Sequence, residues 1–269
     1  MTLAEPADPA GWPRLQGAPN FRDLGGVFSD DGRQVRHGIV YRSEVLASVT
    51  ERDQATLAGL RIGMVFDLRN PSERASTPTA WPQAAAVALR SMPEELLVPG
   101  ADMRQFMNQL RQGTLDTAQV GDMMLSTYRA MPGNFGPMLR SLFEALTRED
   151  DTAALIHCTA GKDRTGFVCA MLLSALQVPA SEVMRDYLAT ARYYTVERLR
   201  LQMERVLGQA LAPDLAEAMA ELAQVKPVYL EAAFGAIAQR WGSAWAYLQD
   251  RAGLDAATRA RLHRRLLAP

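Results

Sequence analysis

Lysine is nearly missing from this chain. Of 29 basic residues only Lys162 and Lys226 are lysines, a skew that, with the heavy use of alanine, marks a GC-rich bacterial coding sequence and not a fold. An excess of charge is missing too. The 29 basic residues face 30 acidic ones, and a net charge of -1 argues against a nucleic-acid coat or a polybasic membrane anchor. There are two cysteines, Cys158 and Cys169, one on either side of a single motif, which is no disulfide framework. With three histidines in all, and only His157 near the cysteines, a zinc site has no ligand set, so no metal or other cofactor is expected. Long hydrophobic runs are also lacking. The longest apolar stretch, Phe167 to Ala180, is about fourteen residues and is interrupted by Ser174 and Gln177, whereas a spanning helix needs about 20. Met1 to Trp12 carries acids and prolines where a signal peptide needs a basic start and an apolar core. The expected location is therefore cytoplasmic, or exported without a recognisable signal peptide.

What remains is ordinary globular material. The chain has 269 residues, 48% hydrophobic and 22% charged, enough for a sizeable core in one large α/β domain or two small ones. No repeat, low-complexity tract or linker divides it, so 1–269 is read as a single domain with an irregular proline-bearing arm over 1–19. A short strand is expected over Val35–Tyr41. Thr50 is a plausible N-cap for a helix to about Leu60, with Asp53 at the capping-box position. Met64 to Leu68 is a continuous apolar run with an acid near its end, as in a buried parallel strand. A further strand is expected over Ala85–Leu89. Two helices fit within 92–135, roughly Asp102–Arg111 and Thr117–Met131. Gly136 to Thr147 has a helical apolar period, Ala153–His157 is a buried strand, and Thr165–Leu176 is an apolar helix. From Pro179 and Ser181 to Leu267 the chain reads as helix with short breaks. Alternating strands and helices predict an α/β class with a central, mostly parallel sheet flanked by helices. The segments 92–135 and 181–240 are candidates for a helical lid or an outer layer.

The chemistry is concentrated in His157-Cys158-Thr159-Ala160-Gly161-Lys162-Asp163-Arg164-Thr165-Gly166. A buried strand delivers Cys158 into a short loop, and a helix leaves at about Arg164. Successive amide N–H groups of such a loop form an anion nest, and the helix N-terminus adds partial positive charge, an environment that favours a thiolate. Arg164 can reach back over the loop with a planar fork that holds two phosphate oxygens. Gly161 permits the turn, and Thr165 is placed to hydrogen-bond the sulfur. Thr159, Ala160, Gly161, Lys162, Asp163, Arg164 and Thr165 are thus the candidate phosphate-binding residues. Lys162 after Gly161 does not make a nucleotide P-loop, because the required earlier glycine and following Ser/Thr are Ile156 and Asp163. Cys169, on the buried side of the helix, is read as packing.

Cys158 through Thr165 resembles the signature of the cysteine-dependent protein tyrosine phosphatase superfamily. With Asn20–Gly26, Tyr41-Arg42-Ser43, Phe66-Asp67-Leu68-Arg69, Tyr229-Leu230 and Tyr247-Leu248, the chain from about Leu15 to Leu267 is similar to the bacterial family that includes mycobacterial phosphatase B and related lipid phosphatases. The resemblance implies a tyrosine-phosphatase-like fold and a metal-independent phosphomonoesterase. Cys158 would attack phosphorus to give a phosphocysteine, while Arg164 and the loop amides stabilise the equatorial oxygens.

Two catalytic positions beyond Cys158 and Arg164 are open. Relatives with a Trp-Pro-Asp loop draw their general acid from it, but here Trp81-Pro82 is followed by Gln83. Asp67, at the tip of a buried strand, and Asp163, in the loop itself, compete for the role. The expectation is that Asp67 lies near the leaving group and Asp163 orients the loop or a water, with an Asp67 ion pair to Arg69 or Arg42 as the bland alternative. Lys162 is expected as a second positive charge at the pocket rim, which would suit phosphoinositides, or else as a partner of Asp163 or Asp67. The expected partner is a phosphorylated protein or phosphoinositide substrate, with no nucleic acid. The competing readings are a phosphate-binding module without turnover, which intact Cys158 and Arg164 disfavour, and a sulfur-transfer enzyme, which Thr165 and the loop length disfavour.

Overall fold

The computed structural model describes residues 13–81, 87–92, 108–148 and 151–269. The expectations for 1–12, for Pro82-Gln83, for Ala85 and Ala86, and for most of the helix over Asp102–Arg111 lie outside the described residues; 108–112 are helical.

Five strands form one sheet: β1 (Arg22–Asp23), β2 (Val40–Ser43), β3 (Ile62–Asp67), β4 (Ala88–Ser91) and β5 (Ala153–His157), in the order β1-β2-β5-β3-β4. Among the described strands the β1–β2 pair is antiparallel and the other three pairs are parallel. The central strand is β5, Ala-Ala-Leu-Ile-His, buried at every position, as a parallel strand covered on both faces must be. Alternate residues feed opposite cores. Ala154 and Ile156 of β5, Met64 and Phe66 of β3 and Val40 of β2 face the larger one. Leu155, Val65 and Tyr41 face a smaller one closed by Leu15, Phe21, Leu46 and Leu57. The period of two means that a one-residue slip would exchange the faces. The register sets Ser43 and Asp67 on either side of His157, so three strand ends converge immediately before Cys158.

The helix Glu51–Gly59 starts with the capping box expected of Thr50 and Asp53. Asp53 also accepts the backbone N–H groups of Gln16 (2.7 Å) and Gly17 (2.9 Å), which ties the described end of the arm to the domain. Helices Thr117–Asn134, Gly136–Leu146, Asp163–Ala175, Ala180–Ala189, Val196–Leu207, Ala216–Ala223, Pro227–Trp241, Ala244–Ala252 and Ala256–Leu266 follow. Thr117–Asn134 packs against both Pro227–Trp241 and Ala216–Ala223.

Besides shifts at element ends, such as the strand expected over Ala85–Leu89, whose described part runs Ala88–Ser91, three elements differ from their sequence-based expectations. The strand expected over Val35–Tyr41 is Val40–Ser43, because Gly38 takes a positive φ of 77° and Val35 instead bridges to Leu267. The helix expected to stop at Met131 runs to Asn134. Pro132 falls in its last turn and removes one helical N–H, yet the helix continues past it, and Phe135 N–H closes on the Met131 carbonyl at 3.0 Å. The third, Pro71–Ser76, is a short helix that the apolar pattern does not show, since none of its residues is buried. No helix among the described residues is long and apolar enough to cross a membrane.

Candidate active site

Cys158 leaves the end of β5 at the floor of the loop and is 2% exposed. Gly161 makes the turn at φ 66°, and a Cβ there would lie 2.4 Å from the Ser43 carbonyl oxygen and 2.6 Å from Asn20 Nδ2, so glycine is required twice over. The loop carbonyls from Thr159 to Lys162 are all engaged, the last by the helix that follows. Thr159 O accepts from Val45 N–H (3.1 Å), and Ala160 O from Asn20 Nδ2 (2.8 Å). Gly161 O accepts from Asn20 Nδ2 (3.2 Å) and Arg42 Nη2 (3.1 Å), and Lys162 O from Gly166 N–H (2.8 Å). Among the described residues no partner takes the N–H groups of Thr159 to Lys162. Engaged carbonyls beside unpartnered amides are the arrangement that an anion nest requires.

Arg42 and Asn20 are backed by a buried charge cluster. Arg42, wholly buried, pairs with Asp186, which also faces Arg22 Nε at 3.5 Å. Arg22 Nη2 donates to the Asp186 carbonyl and to Thr190 Oγ1, both at 3.0 Å. Two arginines therefore share one carboxylate behind the loop. Burial, and then the charge of Arg42, lowers Arg22 to about 10. Burial opposes the charge on Asp186, but the two arginines prevail and hold it below the usual carboxylate range.

Arg164, in the first turn of Asp163–Ala175, is gripped end-on by Glu73. Nη1 lies 2.7 Å from Oε2 and Nη2 2.6 Å from Oε1. Nη1 also donates to Leu68 O at 3.1 Å, and Nη2 is 3.4 Å from Thr159 Oγ1. This arrangement leaves Nε–H without a partner among the described residues, and the long Thr159 contact is the weakest of the fork's bonds. Burial alone would raise Glu73 and lower Arg164. Their mutual bonds win, placing Glu73 at about 2 and Arg164 above its ordinary range. Glu73 also accepts from Thr159 Oγ1 (2.5 Å) and from Asn70 N–H (2.8 Å), the latter closing the capping box of Pro71–Ser76. One carboxylate thus caps a helix and sets the arginine. Asn70-Pro71-Ser72-Glu73 is a full N-terminus signal, with cap, N1 proline and N3 glutamate, and could have revealed both.

Asp163 Oδ1 accepts from Tyr128 Oη at 2.7 Å and lies 3.3 Å from Lys162 Nζ. Tyr128 Oη is in turn 2.7 Å from Tyr187 Oη. Lys162 departs from the expectation of a rim charge. It is 3% exposed and turns to the carboxyl end of Ala216–Ala223, donating to Leu222 O (2.7 Å) and Gln224 O (3.1 Å). The orphan carbonyls of that helix end are the stronger attraction.

Asp67 departs as well, in favour of its bland alternative. It is 2% exposed and forked with Arg69, with Oδ1 2.9 Å from Nε and Oδ2 2.8 Å from Nη2, and it accepts Arg69 N–H at 3.0 Å. Burial would raise Asp67, but Arg69 and then His157, whose Nε2 is 3.8 Å away, keep it ionised. An ionised, enclosed carboxylate is no donor to a leaving group. Thr165 Oγ1 is buried without a hydrogen-bond partner, so the expected bond to the sulfur is not made. Cys169 is buried in the larger core, and burial pushes its thiol up to about 12.

A model of the tyrosine phosphatase family matches residues 13–268. The chain belongs to that family. It is 35% identical over 245 residues to a protein of Cupriavidus necator named as a tyrosine-protein phosphatase, covering 88% of this chain and 83% of the relative. It is 31% identical over 279 residues to the triple specificity protein phosphatase PtpB of Mycobacterium tuberculosis, covering 94% and 98%. The protein is thus an enzyme of the tyrosine phosphatase class. In the phosphatase, the loop from Cys158 to Arg164 brings together a buried thiol, backbone amides and a guanidinium.

Proposed function

We propose that this phosphatase hydrolyses phosphotyrosine through a phosphocysteine on Cys158, with Arg164 and the amides of 159–162 binding the phosphoryl oxygens. The observation that supports the reading is the set of engaged loop carbonyls, which leaves the N–H groups of 159–162 without a protein partner and so suited to an anion beside Cys158. In the first step the thiolate forms an S–P bond as the P–O bond to the phenol breaks. The Asp163 carboxyl gives its proton to the leaving oxygen. In the second step the same group, now carboxylate, takes a proton from water as the water oxygen bonds phosphorus. The S–P bond breaks, and inorganic phosphate and the thiolate are released. Preorganised donors at the equatorial oxygens lower the barrier of both steps. Asp163 takes the acid role over Asp67 because its side chain is 26% exposed beside the nest, whereas Asp67 is closed off by Arg69. Every group in the sequence is a side chain or amide, so the reaction as written requires no metal.

The name of the M. tuberculosis relative supports a range beyond phosphotyrosine, and phosphoserine/threonine peptides and phosphoinositides are the substrates to compare. Lys162 lends the lipid reading no support from its position. We read the helices of 117–134 and 216–241 as an outer layer of one domain that also braces the loop.

The test is a rapid-quench experiment on a phosphotyrosine peptide with chelator present, followed by mass spectrometry. The expected result is a phosphoryl adduct on Cys158, with Cys158→Ser inactive but still binding phosphate. Turnover by the serine variant above a few per cent of wild type overturns the covalent mechanism.

A further inference from the structure

We infer that Tyr128, supported by Tyr187, is a positioning residue for the acid–base step: it occupies Asp163 Oδ1 and so confines the transferable proton to Oδ2. The inference rests on the reading of Asp163 as the acid. Tyr128 comes from Thr117–Asn134, a helix that sequence alone offers only as lid or outer layer.

A tyrosine hydroxyl has one proton. Tyr128 Oη donates it to Asp163 Oδ1 at 2.7 Å, so the 2.7 Å contact between the hydroxyls must be Tyr187 donating to Tyr128. The chain therefore runs one way, from Tyr187 to Tyr128 to Asp163. Burial, followed by the charge of Asp163, raises both tyrosines, so each stays a donor through the working pH range. Lys162 Nζ, 3.3 Å away, approaches the same Oδ1. An oxygen already facing two donors is a poor place for a third proton. Among the described residues nothing bonds Oδ2. Tyr128 and Lys162 are 0% and 3% exposed while the Asp163 side chain is 26% exposed, so the free oxygen is the one open to substrate and water.

The arrangement is rigid. Tyr128 stacks on Tyr229 (centroids 5.7 Å apart, planes 25°) and meets Tyr187 edge-on at 6.2 Å. Tyr229 donates its hydroxyl to Glu221, which pairs with Lys226. A carboxyl held on one oxygen by groups locked in this way presents the other in a single geometry.

The experiment measures kcat/KM over aryl phosphates of rising leaving-group pKa for wild type, Asp163→Asn, Tyr128→Phe and Tyr187→Phe. Asp163→Asn is expected to steepen the dependence, with a loss of about 100-fold or more at the poorest leaving group. Tyr128→Phe should steepen it less, losing about 10-fold there and little at the best leaving group, because a misplaced acid matters only where protonation does. Tyr187→Phe should move the slope the same way by a smaller amount, and it keeps the test open if Tyr128→Phe folds poorly. A steep Asp163→Asn series with Tyr128→Phe and Tyr187→Phe parallel to wild type removes the role of the tyrosines and leaves Asp163 as the acid. Uniform losses across the series in both tyrosine variants mean a structural role and overturn the inference. A flat Asp163→Asn series overturns the acid assignment and this inference with it.

Discussion

Glu73 holds Arg164 through both terminal nitrogens, at 2.7 and 2.6 Å, while the same carboxylate accepts from Asn70 N–H to cap the helix Pro71–Ser76. The fork is fixed from behind before any substrate arrives. Glu73→Gln keeps the capping box, since glutamine serves at N3, but removes the charge. The expected outcome is a loss of about 10- to 100-fold in kcat/KM with the fold retained, because an arginine free to rotate no longer meets the equatorial oxygens preorganised. Activity near wild type would mean that Leu68 O and Thr159 suffice to set the guanidinium.

The same pair fixes a pH dependence. Glu73 is depressed from 4.5 to about 2 in the folded protein. A depressed carboxylate contributes stability that is complete above its unfolded value and is lost as pH falls through its folded one. The window is therefore about pH 4.5 down to 2. With both side chains 26% exposed, the contribution is on the order of 2 kcal/mol after discounting for solvent screening. Urea unfolding between pH 6 and 2.5 should show a shallower decline for Glu73→Gln than for wild type; parallel curves would refute the linkage.

Lys162 is committed to Leu222 O and Gln224 O. Lys162→Ala leaves two carbonyls short of a donor and should cost about 1–3 kcal/mol of stability. Its activity losses on phosphotyrosine peptide and on soluble phosphoinositide should match. A loss on the lipid an order of magnitude larger would show that the ammonium reaches substrate after all.

Asp67 belongs to structure by the same logic. Arg69, which it holds, also donates to Thr77 O (2.6 Å) and Thr79 Oγ1 (2.9 Å), fixing the chain after Pro71–Ser76. Asp67→Asn strips a buried guanidinium of its counter-charge, at a cost of about 3–5 kcal/mol. Its leaving-group slope should equal that of wild type. A steeper slope would return Asp67 to the acid role.

Much of this site can be read along the chain, for a physical reason: Cys158, Gly161 and Arg164 lie within one strand–loop–helix unit, where spacing determines geometry. The strand Ala153–His157 is likewise legible because it is apolar throughout. Glu73 and Tyr128 are not, since each reaches the loop from an element distant in sequence, and neither is Asp186, which acts on it through Arg42. The competition of a helix end for Lys162, and of Arg69 for Asp67, depends on contacts that periodicity does not encode. Among these, only Glu73 left a local trace, its place three residues after the Asn70 cap.

The back of the loop separates two sources of anion affinity, amide orientation and buried charge. Asn20 donates to Ala160 O and Gly161 O without carrying charge. Among the described residues Asp186 makes no hydrogen bond to the loop, but it neutralises part of the Arg22–Arg42 pair. Asn20→Ala strips the Ala160 carbonyl of its donor and leaves the Gly161 carbonyl to Arg42 alone, so the first is free to turn inward, at a cost of about 1–3 kcal/mol. If orientation governs, that variant should bind vanadate about 10- to 100-fold more weakly while its melting temperature falls modestly. Asp186→Asn makes the opposite change. It leaves the Arg42–Gly161 bond available and adds net positive charge behind the nest. The variant should lose more stability than Asn20→Ala, because two buried arginines then share no counter-ion. Its vanadate affinity should hold or rise, since the field at the loop becomes more favourable to an anion. The measurement is the vanadate inhibition constant for both variants at two salt concentrations. Weakening in Asp186→Asn equal to that in Asn20→Ala would show that the loop simply loosens in both, and the separation of orientation from charge would fail.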